Sequence, residues 1–193
     1  MKIVILNGSP HENGYTANVC KALFNDIEAE VKTYYAYDVT VNNCIGCNYC
    51  SENVNKCVFD GEDDFRAIMA DVIDCDLFVL ASPLHFSGFT AKLLAVISRM
   101  QVYFPLKYEF KQPLPFKDKR GLTIAVGGND YPAMFDAVKA VDRVIFMHCN
   151  ATDNLRLLLK GTDQYNKEDF VSHYQKELNK LKDDLKTCLN TAK

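Results

Sequence analysis

The chain has 193 residues, enough for one domain that buries about 70% of its unfolded surface. Hydrophobic residues make up 48% and charged residues 24%, a composition that excludes a disordered or fibrous chain. The net charge of −3 offers no footprint for a nucleic-acid or membrane partner, and no apolar run approaches the length of a membrane span.

The first element is the strand "KIVILN" at 2–7. Its apolar core, Ile3 to Leu6, breaks at Asn7-Gly8 and is too short for a secretion signal. The chain is therefore expected in the cytoplasm, where thiols stay reduced. An amphipathic segment at 16–29 leads to a second strand, "VKTYYAY" at 31–37, and then to a long connection at 38–61 that holds four cysteines. A helix at 62–74 precedes the strand "DLFVLAS" at 76–82, and a helix at 89–102 follows it. The connection at 103–119 is rich in proline and aromatic residues. Next come the strand "GLTIAVGG" at 121–128, a helix at 131–148 and the strand "NLRLLLKG" at 154–161. A final helix at 167–189 spaces Phe170, Tyr174, Leu178, Leu181 and Leu185 three or four apart. Apolar strands alternating with helices predict βαβ units, in which a parallel sheet is covered on both faces. No repeat or linker divides the chain, so 1–193 reads as a single domain.

In such sheets ligands bind beyond the carboxyl ends of the strands, near the point where strand order reverses. Three of those ends are unusual here. After the first strand, "NGSPHENGYTA" supplies Gly8 for a tight turn, the hydroxyls of Ser9 and Thr16, and Gly14 for close backbone approach. The following helix aims its free N–H groups at the loop, which favours a phosphate. The loop lacks the Lys-Ser/Thr pair of a P-loop and the third glycine of a dinucleotide fingerprint. Hydroxyls and amides without lysine suit a terminal monophosphate ester, and an ordinary helix cap explains the loop equally well if it stood alone. "SPLHFSG" after the third strand and "GGNDYP" after the fourth add further small and polar residues to the same edge.

The stretch "CIGCNYCSENVNKC" spaces Cys44, Cys47, Cys50 and Cys57 as C-x2-C-x2-C-x6-C. Structural zinc sites usually join two separated cysteine pairs. A tight triplet instead resembles the ligation of ferredoxin clusters, with Cys57 available as a fourth ligand. Zinc and free thiols remain alternatives on spacing alone. Cys20, Cys75, Cys149 and Cys188 are scattered over helical positions and read as small buried hydrophobes.

Taken in order, "ILNGSPHENGYTA", "CIGCNYC", "ASPLHFSGFTAKLLAVISR" and "FKDKRGLTIAVGG" resemble the NAD(P)H-dependent FMN reductase family, and within it the iron–sulfur flavoproteins. The resemblance implies a flavodoxin-like α/β three-layer sandwich, with a five-stranded parallel sheet in the order 2-1-3-4-5. It further implies that FMN phosphate meets Ser9, His11, Gly14, Tyr15 and Thr16. Pro83, Leu84, His85, Phe86 and Ser87 would hold the ribityl chain and ring edge, and Gly127 and Gly128 would approach the ring. Family members usually carry arginine and asparagine where this chain has His11 and Tyr15, which points to weaker phosphate binding. The implied metal group is a 4Fe–4S cluster on Cys44, Cys47, Cys50 and Cys57, and the implied electron donor is NAD(P)H. Small-molecule redox substrates are the expected partners of such a reductase, which assembles as a homodimer or homotetramer. A carrier that accepts electrons from ferredoxin, without turnover of its own, is the competing function, and a zinc-binding module is the third.

No side chain is required as an acid or base in hydride transfer, so no catalytic residue is assigned. His148 and His173 read as surface or packing residues, and the acids of "GEDDF" at 61–65 as dipole-stabilising residues in a first helical turn. Tyr103, Phe104, Tyr108 and Phe110 are candidates to cover the isoalloxazine of a neighbouring subunit.

Overall fold

The computed structural model describes residues 1–190, with side chains through residue 187. The strands β1 (Lys2–Asn7), β2 (Glu30–Tyr35), β3 (Leu77–Pro83), β4 (Lys119–Val126) and β5 (Ala151–Leu159) form one sheet. Its order is β2-β1-β3-β4-β5 and every pairing is parallel. This is the expected flavodoxin-like topology. Strand order reverses between β1 and β3, which puts Asn7 beside Ala81 at the carboxyl edge.

Side chains alternate across a strand, so β1 feeds two cores. Ile3 and Ile5 pack with Val19 and Leu23 of α1 (Tyr15–Phe24), Phe170 of α7 (Lys167–His173) and Leu178 and Leu185 of α8 (Gln175–Asn190). Val4 and Leu6 face the other way. They meet Ile68 and Val72 of α3 (Phe65–Asp74), Leu93 and Val96 of α4 (Ala91–Ser98) and Phe146 of α6 (Asp136–His148). The result is helix, sheet, helix.

The expectation of strands buried on both faces holds for β1, β3 and β4 and fails for the two edge strands: the first four residues of β2 are exposed, and β5 exposes Thr152, Asp153, Asn154 and Arg156. β2 is an edge strand, and Lys32 lies on it as charged residues commonly do on edges. The helix expected at 89–102 ends at Ser98. The chain then tightens into a 3-10 turn, Arg99–Val102, and enters α5 (Tyr103–Tyr108) inside the supposed loop. The last helix is interrupted at Tyr174, whose hydroxyl donates to the Lys160 carbonyl at 2.9 Å. A short helix, α2 (Tyr49–Glu52), lies in the cysteine loop.

Tyr103 does not face a neighbour. Its ring is buried against Phe116, with centroids 4.9 Å apart, because α5 turns it into the core. Cys20, Cys75 and Cys149 are buried free thiols, and burial pushes Cys20 up to about 12 and Cys75 to about 11. The side chain of Cys188 lies outside the described residues. His148 stacks on Phe104 and His173 on Tyr165, both as packing residues. Among the described residues no helix is long and apolar enough to cross a membrane.

Candidate active site

The loop after β1 is built on itself. The Ser9 amide donates to Asn7 Oδ1 at 2.8 Å, the His11 amide to Ser9 Oγ at 3.2 Å, and the Gly14 amide to the His11 carbonyl at 3.1 Å. Gly8 does not occupy left-handed backbone, so the tight-turn explanation is wrong for it. It is required for close approach: a Cβ there would lie 2.7 Å from Thr90 Oγ1 and 2.9 Å from both Leu93 Cβ and Ser82 Oγ. Gly8 thereby seats the first loop directly on the start of α4, and Thr90 Oγ1 donates to its carbonyl at 2.8 Å.

Gly14 is the N-cap of α1 and has no side chain to cap with, so the first-turn amides of the helix stay available to an anion. Beside them lies a cavity of about 450 Å³. Ser9, His11, Gly14, Tyr15, Thr16, Pro83 and His85 line it, all of them expected there. The Tyr15 hydroxyl is engaged elsewhere, donating to the Tyr165 carbonyl at 2.7 Å while the ring packs edge-on against Phe170. At this position the side chain ties α1 to α7, while the residue's amide lies in the first turn of α1.

Four lining residues were not assigned to the site from the sequence: Pro10, within the first loop, and Val126, Thr162 and Lys167. Lys167 opens α7, more than 150 positions beyond the loop that it faces, and no local motif marks it. A parallel sheet brings it there because the carboxyl ends of β1 and β5 share one edge. Lys167 is the one lysine or arginine among the described residues that line this cavity.

Leu84, Phe86 and Ser87 are not among the residues that line the cavity. His85 and Gly88 exchange backbone hydrogen bonds at 3.0 Å, which makes Phe86-Ser87 a two-residue turn. Both turn residues have positive φ, 50° and 63°, where glycine or asparagine is usual. Holding phenylalanine there costs about 1–3 kcal/mol of backbone strain. The ring stands fully exposed at the tip, and Ser87 Oγ lies 2.9 Å from the Tyr131 hydroxyl on the loop after β4. Gly127 and Gly128 face their own chain: Met134 and Leu84 crowd the first, and the Asp163 carboxylate the second.

The cysteine loop follows β2 and is held by a different set of bonds. The Thr40 amide donates to Asp64 at 2.8 Å, Asn42 to Asp63 at 3.0 Å, Cys44 to Ser98 Oγ at 3.0 Å and Cys57 to Asp60 at 2.8 Å. Asp60 also accepts two bonds from Arg66, at 2.7 and 2.8 Å. The acids of "GEDDF" therefore precede α3 and anchor the loop, which corrects the helix-dipole explanation. Asp63 pairs with Arg99 from the 3-10 turn, and both side chains are only 1% exposed. Burial opposes ionisation of Asp63, but the amides of Asn42 and Phe65 and the guanidinium of Arg99 hold its carboxyl below the ordinary range.

Cys44, Cys47, Cys50 and Cys57 all line one cavity of about 50 Å³. Gly46 takes φ +66° and Asn48 φ 60°, and these two left-handed residues curl the chain around it. Burial raises the Cys50 thiol, and the neighbouring cysteines add to the effect. Among the described residues no three Cys, His or acidic side chains are arranged to hold a single metal ion. The thiols stand around a cavity wall instead. Four sulfur donors around one enclosed space, on backbone that bends to face it, fit a compact sulfur-ligated cluster.

A parallel sheet with its pocket at the switch point and an uncapped helix N-terminus after β1 defines an α/β protein of the flavodoxin-like class. The family described as NADPH-dependent FMN reductase matches residues 1–154, and the chain belongs to that family of oxidoreductases. An iron–sulfur flavoprotein of Methanocaldococcus jannaschii is 28% identical over 151 residues, covering 77% of this chain and 73% of that protein. A second iron–sulfur flavoprotein of the same organism is 24% identical over 131 residues, covering 67% and 63%. The chain thus spans under two thirds of that second relative's length. An FMN-dependent NADH-azoreductase from Bacillus anthracis, solved with FMN, superposes with a TM-score of 0.67 at 14% identity over 96% of this chain and 99% of that one, a likeness of fold.

Proposed function

We propose that the chain binds FMN in the cavity beside α1, takes electrons from NADH or NADPH, and passes them to a second acceptor, with a 4Fe–4S cluster on the cysteine loop. The observation that carries the reading is the uncapped N-terminus of α1 opening into a 450 Å³ cavity at the switch point, lined by Ser9, Thr16 and Lys167. When bound, FMN supplies hydride acceptance and one-electron release, and the cluster supplies single-electron relay.

The chain's own residues bind and orient. Ser9 and Thr16 offer hydroxyls to a phosphate, the first-turn amides of α1 donate to it, and Lys167 balances its charge. Pro83 and His85 form the opposite wall. Phe86, bare at the tip of its turn, offers an aromatic face to a flat ring, and the Ser87–Tyr131 contact holds that turn against the next loop. Cys44, Cys47, Cys50 and Cys57 hold the iron. Cytoplasmic thiols, kept reduced, suit that role.

The exposure of Cys47 supports a second reading, in which a ferredoxin-like protein delivers electrons at the cysteine loop and no nicotinamide turns over. Anaerobically purified protein separates the two. A visible spectrum with iron and sulfide assays tests the groups bound, and steady-state oxidation of NADH and NADPH with added FMN tests turnover. Flavin bands with nicotinamide oxidation are expected. Rapid reduction by ferredoxin without nicotinamide oxidation would establish the carrier, and a colourless protein that quenches no FMN fluorescence would sink both.

A further inference from the structure

The thiols share their cavity with one charged side chain. Arg99 lines it together with the four cysteines, and among the described residues it is the only cation that does so. The guanidinium lies between two rings, 5.2 Å from the centroid of Phe59 and 4.8 Å from that of Phe65. Nη1 donates to the Asp63 carboxylate and, at 3.1 Å, to the Asn42 carbonyl. Nε and Nη2 are buried and have no acceptor in the protein.

That arrangement is costly for a residue with a purely structural role. A guanidinium that serves only as an ion-pair partner usually grips its carboxylate through two parallel bonds. Arg156 does so on Asp142, through Nε and Nη2 at 2.7 Å each. Arg99 spends one nitrogen on Asp63 and leaves two buried donors unpaired, each a desolvated group that favours an acceptor. The same enclosure is lined by the four cysteine sulfurs, with Asn48, Tyr49 and Gln101 also on its wall.

We infer that Arg99 donates from Nε and Nη2 to the anionic, sulfur-rich group held by Cys44, Cys47, Cys50 and Cys57, and so sets its reduction potential. The inference rests on the reading that this loop holds a cluster. Reduction adds negative charge to such a group. A buried cation and N–H donors to its sulfurs stabilise the reduced form more than the oxidised form, which raises the potential. Asp63 fixes the guanidinium in place from the side of the loop, and the two phenylalanines keep water off its faces.

The test uses the full chain, reconstituted anaerobically with iron and sulfide, and reads the midpoint of the cluster absorbance in a redox titration. Arg99→Lys keeps a charge opposite Asp63 but loses the two-nitrogen fork. The double variant Arg99→Met with Asp63→Asn removes the donors without leaving a buried carboxylate unpaired. Both are expected to hold iron and sulfide in the wild-type ratio with a more negative midpoint, the double variant more so. An unchanged midpoint in variants that hold the cluster overturns the inference, because the free nitrogens then serve only water or packing. Wild-type protein that takes up no iron and sulfide overturns the cluster reading itself, a failure seen before any variant is made.

Discussion

The loops after β1 and β2 leave the same edge of one sheet as neighbours, yet they are built on opposite plans. The first presents mainly backbone: the amides at the start of α1, an uncapped glycine and two small hydroxyls. The second presents side chains, four thiols and a buried guanidinium, on a loop pinned by Asp60, Asp63 and Asp64. A site made of backbone depends on where the chain runs and tolerates substitution of its side chains. Tyr15 illustrates this, since its ring has been given over to packing without closing the pocket. A site made of side chains depends on their identity and fails one residue at a time.

The contrast can be broken from either side. The largest effect is expected from Asp63→Ala, which strands Arg99 as an unpaired buried charge and should cost about 3–5 kcal/mol in urea unfolding. The Asp63 carboxyl is held below its unfolded value, so its contribution is full above about pH 4 and is lost as pH falls further. The deficit of the variant should therefore shrink in acid. Equal losses at pH 7 and at low pH would show that the pair does not support the loop. Gly8→Ala comes next. Its Cβ would press on Thr90, Leu93 and Ser82, for a cost of about 1–3 kcal/mol and a weaker FMN complex by fluorescence titration. Iron content should not change, and a parallel loss of iron would show that the two loops are one unit.

Lys167→Met should weaken FMN binding roughly tenfold at low salt, with the difference fading as ionic strength rises. Unchanged affinity would mean that backbone amides alone carry the phosphate. The smallest change in stability should come from Phe86→Gly, which relieves a positive φ and should raise the unfolding free energy by about 0.5–1 kcal/mol. The same variant should lower nicotinamide turnover through loss of the exposed ring. Faster or unchanged turnover would remove Phe86 from the site.

Much of this architecture is local information, readable along the chain. Buried strands announce themselves as apolar runs, and the period of two in β1 already contains the division into two cores. The cysteine motif is legible because its four thiols lie within fourteen consecutive positions. Ser9 and Thr16 are legible because they lie on one continuous turn into a helix. What the tertiary structure alone decided lies between distant segments. Lys167 reaches the first loop only because β1 and β5 end on the same edge. Arg99 reads as one more residue of an amphipathic helix until the 3-10 turn brings it onto Asp63 and into the wall of the cavity that the thiols line. Gly8 looks like a turn glycine until the start of α4 is seen to touch it. Sequence patterns report which face of an element is apolar, because burial acts on every residue of that face. They do not report which segment packs against it, because that depends on contacts between residues far apart in the chain.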